Sequence, residues 1–191
     1  MISPTPSLRT PIKFRRSHRL GALTLVAASV ILSGCSPAPS PAPTPTAAFA
    51  SEEEAFAAAE ASFEKYTRAL NEVDTSNPET FEALFELSSG SVEKADRKNF
   101  SAMRAEGQIV NGDTRVTSFD GIRSDAPFDE VTAAVCLDVS DVTIVNPDGS
   151  SAVNMNRPSV YALEVTFLRD GTNALLVDSA ASSDDVQCVT S

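Results

Sequence analysis

The chain has 191 residues, 42% of them hydrophobic, with 15 basic residues against 26 acidic ones and a formal net charge of −11. That length holds one domain of ordinary size with a core of its own. The acidic balance repels nucleic acid and anionic lipid headgroups, and the single histidine withholds the base that serine and cysteine triads and most zinc sites need.

The N-terminal stretch carries Arg9, Lys13, Arg15, Arg16 and Arg19 and no acid. An apolar run from Leu20 to Leu32 follows, broken only by Gly21, Thr24 and Ser29. It is shorter than the roughly 20 residues that span a bilayer. Leu32-Ser33-Gly34-Cys35 closes it. This order of basic leader, short apolar run, small residues and cysteine resembles a bacterial lipoprotein signal peptide. The resemblance implies that residues 1–34 are cut away and that the Cys35 thiol carries a diacylglyceryl group. Two acyl chains give stable anchoring where one is marginal. The expected location is the cell membrane, on its extracytoplasmic face. An ordinary secretory signal with a coincidental cysteine is the alternative, and Arg15-Arg16 leaves twin-arginine export open beside general secretion. His18 and five cations fall before Cys35, leaving ten cations against 26 acids beyond it, a net of −16. The lipid, rather than surface charge, then has to hold the domain at the membrane.

Residues 35–50 form the lipidated cysteine and a linker. Pro37, Pro39, Pro41, Pro43 and Pro45 alternate along it. Proline fixes φ and removes an N–H donor, so an extended, semi-rigid spacer is expected. At about 3.1 Å per residue it reaches roughly 45 Å.

Residues 51–191 read as a single α+β domain, with helices first and strands after. Ser51-Glu52-Glu53-Glu54 is a capping box. Phe56, Ala59, Phe63, Tyr66, Leu70 and Val73 then fall at spacings that put them on one helical face. Asn77-Pro78 opens a second, short helix whose apolar groups are Phe81, Leu84, Phe85 and Leu87. A third runs from about Ser91 to Glu106, with Val92, Ala95, Phe100 and Met103 inward and Gly107 as its stop. Strand material fills Ile109 to Ile122, with Asn111-Gly112 and Asp120-Gly121 as breaks. Val131, Ala133, Val135, Leu137 and Val139 share one strand face. The apolar parity flips after Ser140-Asp141, which predicts a β-bulge in one long bent strand. Asn146-Pro147-Asp148-Gly149 closes a hairpin. Tyr161, Leu163, Val165 and Phe167 alternate, Asp170-Gly171 makes the next tight turn, and Leu175 and Val177 belong to the last strand.

Three N-terminal helices followed by a bent antiparallel sheet of about four strands resemble the NTF2-like (cystatin-like) superfamily. The segments Ser51-Glu52-Glu53-Glu54-Ala55-Phe56, Ala69-Leu70-Asn71-Glu72-Val73-Asp74 and Val135-Cys136-Leu137-Asp138-Val139-Ser140 resemble lipoproteins of actinobacteria, with Asp148-Gly149 and Arg157-Pro158 in support. The resemblance implies helices packed on the concave side of the sheet with a pocket between them.

Cys136 and Cys188 remain once Cys35 is lipidated. In an oxidising compartment they are expected to form a disulfide. Cys136 points away from the Val135 face, and the bond requires the tail after Ala181 to fold back across the sheet. Two separate thiols, or a catalytic thiolate, are the alternatives, and a thiolate would want a histidine base. No metal site, cofactor motif or phosphate loop is present. Asn146, Asp148 and Ser150 approach calcium-ligand spacing, but Gly149 and Arg157 fall at the wrong positions for an EF-hand. The functional expectation is a non-catalytic binding module for an unidentified small molecule or protein. Its pocket is placed near Phe63, Tyr66 and Tyr161, with the membrane as partner through the lipidated cysteine. The alternative is an enzyme of the same fold acting on a small apolar substrate through tyrosine and carboxylate. Convergent polar groups around a void, with a perturbed carboxylate, would favour the enzyme.

Cys35→Ser should release the protein from the membrane fraction or leave the precursor uncut. Intact mass of the wild type should show the added acyl chains. Unchanged membrane attachment without that added mass contradicts lipidation.

Overall fold

The computed structural model describes residues 48–188. The leader, Cys35 and the spacer up to residue 47 lie outside the described residues.

Helix α1 spans Glu52–Asn71. Ser51 is extended at the N-cap, and its hydroxyl accepts from the Glu54 N–H at 3.2 Å. The Glu54 carboxylate reaches back to the Ala50 N–H at 2.7 Å, one residue before the cap. Three glutamates in the first turn face the positive end of the helix dipole. Ala55, Ala59, Phe63 and Tyr66 are buried, and Phe56 lies partly buried beside them. Helix α2, Glu79–Phe85, starts after Pro78. Asn77 Oδ1 accepts from the Glu79 N–H at 3.2 Å, so it caps from just ahead of the proline. Phe81, Leu84 and Phe85 are buried as expected.

Helix α3, Gly90–Glu106, ends at Gly107 with φ 67°, and the Gln108 N–H donates to the Met103 carbonyl. That is the Schellman closure its sequence predicts. Its inner stripe differs from expectation in one residue. Val92, Asp96, Phe100 and Met103 face inward, while Ala95 is exposed. Spacings of 4, 4 and 3 make a more continuous stripe than one routed through Ala95, and the helix keeps it at the cost of placing a carboxylate inside.

The main sheet is antiparallel, in the order β2 (Arg115–Arg123), β3 (Glu130–Asp138), β5 (Val160–Arg169), β6 (Leu175–Ser182). A separate ribbon pairs β1 (Ile109–Asn111) with β4 (Thr143–Val145). The α+β layout is therefore the expected one, three helices packed on a curved antiparallel sheet. Its curvature has different sources. Register shifts fall between Val116 and Ser118, between Gly121 and Arg123, and opposite Thr166/Phe167, where Asp178 is the extra residue. Bulges of this kind bend a strand and increase its twist.

Two expectations are corrected here. No bulge carries one strand through Ser140-Asp141. The chain turns there instead, with the Val142 N–H donating to the Val139 carbonyl, and β4 leaves for the small ribbon. Asp120-Gly121 does not break the strand, since β2 runs through it. Gly121 serves packing, because a β-carbon there would overlap the Phe56 ring. The Asp170 turn is also longer than an Asp-Gly pair. Asn173, at φ 70°, takes the left-handed position, and the Asp170 carboxylate accepts from the Thr172 and Ala174 N–H groups.

The core lies between the helices and the sheet. Val131, Ala133, Val135, Val165 and Phe167 are fully buried. The Phe63 ring meets Phe167 edge-on at 6.0 Å and approaches Phe119 at 6.5 Å. The outer side of β6 is partly covered by the segment after α2. The Ser89 N–H donates to the Val177 carbonyl, and the Val177 N–H to that of Leu87. An edge strand capped in this way offers fewer free groups for unwanted pairing.

Cys136 and Cys188 are bonded, with Cα atoms 5.7 Å apart. Cys136 sits opposite Ala162 of β5, and the Ser183 N–H donates to the far side of Ala162. The tail must therefore cross β5 to reach Cys136, as the sequence requires. Replacing both cysteines by alanine should lower the melting temperature while circular dichroism keeps the α+β signature. For a sequence separation of 52, the loss expected from loop closure is roughly 3–4 kcal/mol. An unchanged denaturant midpoint would contradict this role.

Candidate functional site

The sequence-predicted site residues do not converge on a void. Phe63 and Tyr66 are packed into the core, 3% and 9% exposed. Tyr161 is half-buried on β5 opposite Leu137, beside the disulfide, where its carbonyl lies 3.8 Å from the Cys188 sulfur. None of the three lines the cavities described below. Cys35 lies outside the described residues.

What Tyr66 does meet is Asp96. Its hydroxyl donates to Asp96 Oδ2 at 2.9 Å, joining α1 to α3. Burial, reinforced by the neighbouring carboxylate, pushes the phenol far above its ordinary range. Burial also raises the Asp96 carboxyl to about 6, against the lowering effect of the Tyr66 hydrogen bond. A tyrosine beside a raised carboxyl is a pairing that acid–base chemistry uses. Here the two groups satisfy each other between packed helices, and no substrate-sized space adjoins them among the cavities described.

A cavity with largely apolar walls lies where the ends of α1 and α3 meet the small ribbon. It encloses about 250 Å³. Leu70 and Val73 form one wall, Phe100 and Met103 a second, and Val142 and Ile144 a third. The ribbon stands off because the chain leaves the main sheet at Val139–Val142. Gly112 allows the connecting turn, with φ 81° and a position where a β-carbon would overlap the Asp141 carbonyl. Asn71, the last residue of α1, latches this end shut. Its Nδ2 donates to the Thr114 carbonyl and its Oδ1 accepts from the Thr114 N–H, both at 2.9 Å. The side chain thereby pairs like a strand backbone. Asp113 stands exposed at the rim.

A larger and more open groove of about 770 Å³ runs between α2 and α3. Arg97 closes part of it, its guanidinium 4.1 Å from the centre of the Phe85 ring and bonded to Glu93 at 2.8 Å. Among the described residues no group of three or more His, Cys, Asp and Glu side chains is placed to share a metal ion. No described helix is long and apolar enough to cross a membrane.

The sequence reading missed both Asp96 and the Asn71–Thr114 latch. Asp96 had a signal in the stripe Val92, Asp96, Phe100, Met103, a carboxylate at an inward position. The latch had none, since Asn71 and Thr114 are 43 residues apart and meet only once the sheet has formed.

No protein-family model matches the chain, and no curated protein matches it. Solved structures align with it at low identity. The intermembrane space region of the chloroplast protein ARC6 is 12% identical over 66% of this chain and 95% of its own, with a TM-score of 0.47. Aln2 from a Streptomyces species is 14% identical over 71% and 93%, with a TM-score of 0.42. An iota-carbonic anhydrase from a cyanobacterium, complexed with bicarbonate, is 13% identical over 77% and 99%, with a TM-score of 0.35.

The Asp96 environment predicts a pH dependence. Its folded carboxyl titrates near 6 rather than near 3.8. Between those values the folded state holds the proton that the unfolded state has lost, so stability falls as pH rises from about 4 to about 6. Above that range the cost is complete, and below it absent. Asp96→Asn keeps an acceptor for Tyr66 and removes the charge. The variant should match wild type near pH 4 and exceed it at pH 7 by on the order of 1–2 kcal/mol, allowing for the part of the carboxylate that solvent reaches. Urea midpoints at the two pH values give the comparison. A constant difference between them would contradict a buried, titrating Asp96.

Proposed function

We propose that residues 51–191 form a binding module with no catalytic chemistry of its own. The lipid on Cys35 holds it at the extracytoplasmic face of the cell membrane, and the proline spacer sets it off the surface. One observation carries the reading. The one tyrosine–carboxylate pair with strongly perturbed titration among the described residues, Tyr66 and Asp96, is packed into the helix interface, while the apolar cavity is elsewhere and lacks that pair. Chemistry and space are separated, whereas a general acid must stand within hydrogen-bond reach of the group it serves.

The enzyme reading has the raised Asp96 carboxyl in its favour, since acid–base catalysts are tuned in this way. It would need the helices to part and admit substrate beside Tyr66. Native mass spectrometry of the protein taken from its own membranes should find a retained small molecule or a stoichiometric partner. Tyr66→Phe and Asp96→Asn should both keep it bound. Discovery of a turnover reaction that either substitution slows by about a hundredfold or more, the size expected of a general acid or base, would replace the module with the enzyme.

A further inference from the structure

The void at the ribbon end has a chemistry that narrows what it accepts. Its three walls are apolar, from Leu70 and Val73, Phe100 and Met103, and Val142 and Ile144. Of its polar lining side chains, Asn71 has its carbonyl and amide ends engaged by the Thr114 backbone, while Asn111 at the end of β1 and Asp113 in the turn after it are exposed and Thr114 is buried beside them. Among the described residues no buried side-chain nitrogen or oxygen lacks a hydrogen-bond partner. The polar groups that a ligand could meet are therefore gathered at the exposed Asn111 and Asp113, and a polar group held against the apolar walls would lose water without replacement. The charged lining residue is Asp113, exposed at the rim. It tolerates an N–H or O–H donor and opposes a carboxylate or phosphate. The volume, about 250 Å³, lies below the roughly 300–1,000 Å³ of pockets for drug-sized ligands. Met103 adds an unbranched, polarizable wall that adapts to a flat ring.

We propose that the cavity between the ends of α1 and α3 and the β1–β4 ribbon binds a small, uncharged ring compound, with any hydrogen-bond donor it carries turned out to Asp113. This rests on the binding-module reading and gives it a site and a ligand class. Affinity comes from removing apolar surface from water, with Ile144 of β4 and Val142 just before it supplying the ribbon side of the pocket. Ile144 pairs with Val110 in the three-residue ribbon, while Phe100 belongs to the packed core.

The test uses the purified protein and two probes of one shape, 1-naphthylamine and 1-naphthoate. Methyl-detected NMR should show 1-naphthylamine shifting Val110, Val142, Ile144 and Met103 and saturating at one molecule per chain. The carboxylate should bind about tenfold more weakly, because its charge would lie in an apolar cleft beside another carboxylate. Asp113→Asn should narrow that gap, and Ile144→Phe should weaken the amine by about tenfold by filling the space. If Ile144→Phe does not fold, the wild-type methyl map still decides the location. Shifts centred on Ala105 and Ile109 in the α2–α3 groove, equal binding of the two probes, or no binding of either would overturn the proposed site and class while leaving a binding module possible. Conversion of a bound compound to product, abolished by Asp96→Asn, would instead overturn the module reading itself.

Discussion

Phe63 lies against Phe167 of β5 and Phe119 of β2, and Phe167 is wholly removed from water. Each ring contributes on the order of 1.5–3 kcal/mol from burial, with something more from the edge-to-face geometry. The contact fixes where α1 lies on the sheet, and much follows from that placement. Phe56, two turns earlier, must settle over the strand, and Gly121 supplies the space where any β-carbon would collide. Asn71, two turns later, comes level with Thr114 and can latch there. One aromatic cluster thus sets the register of both ends of the helix.

Filling that centre also closes the place where the sequence led us to expect a ligand. Phe63 and Tyr66 occupy it themselves, and Asp96 completes the polar edge by accepting from Tyr66. Burial of a carboxylate is unfavourable unless it is hydrogen-bonded or holds its proton, and Asp96 does the first and moves toward the second. The pair therefore has a sufficient structural account as a polar tie between two helices.

Much of the fold was legible because it rests on local rules. The Ser51 cap, the stop at Gly107 and the alternation in Val131–Val135 and Val165–Phe167 all appear where short-range patterns put them. The failures share a cause. At Asp120-Gly121 the glycine answered a contact with Phe56, far away along the chain, and turn chemistry was the wrong explanation for it. At Ser140-Asp141 the parity flip was real, but parity cannot distinguish a bulge from a departure into another sheet. At α3 the expectation put Ala95 inward, whereas Asp96 takes that place because the inner stripe holds the Tyr66 hydroxyl as its partner. The disulfide was foreseeable from an even cysteine count, whereas the pocket was assigned to conspicuous aromatics that fill space instead of lining it.

The misread turn at Val139–Val142 also accounts for the cavity. Had the strand continued through a bulge, Val142 and Ile144 would have remained in the main sheet and packed against its neighbours. Because the chain turns, they are carried to a ribbon that β4 forms with β1 through three residue pairs, and there they line a cavity with Leu70, Val73, Phe100 and Met103. Arg157 secures the turn, donating from its Nη2 to the Val139 and Val142 carbonyls at 2.9 and 2.8 Å. These hydrogen bonds fix the backbone leading into β4, which faces Phe100 and Met103 across the cavity. With Arg157 tying the backbone on one side of the cavity and Asn71 on the other, its lining is set by the fold itself, and small-molecule sites are for the most part preformed in this way.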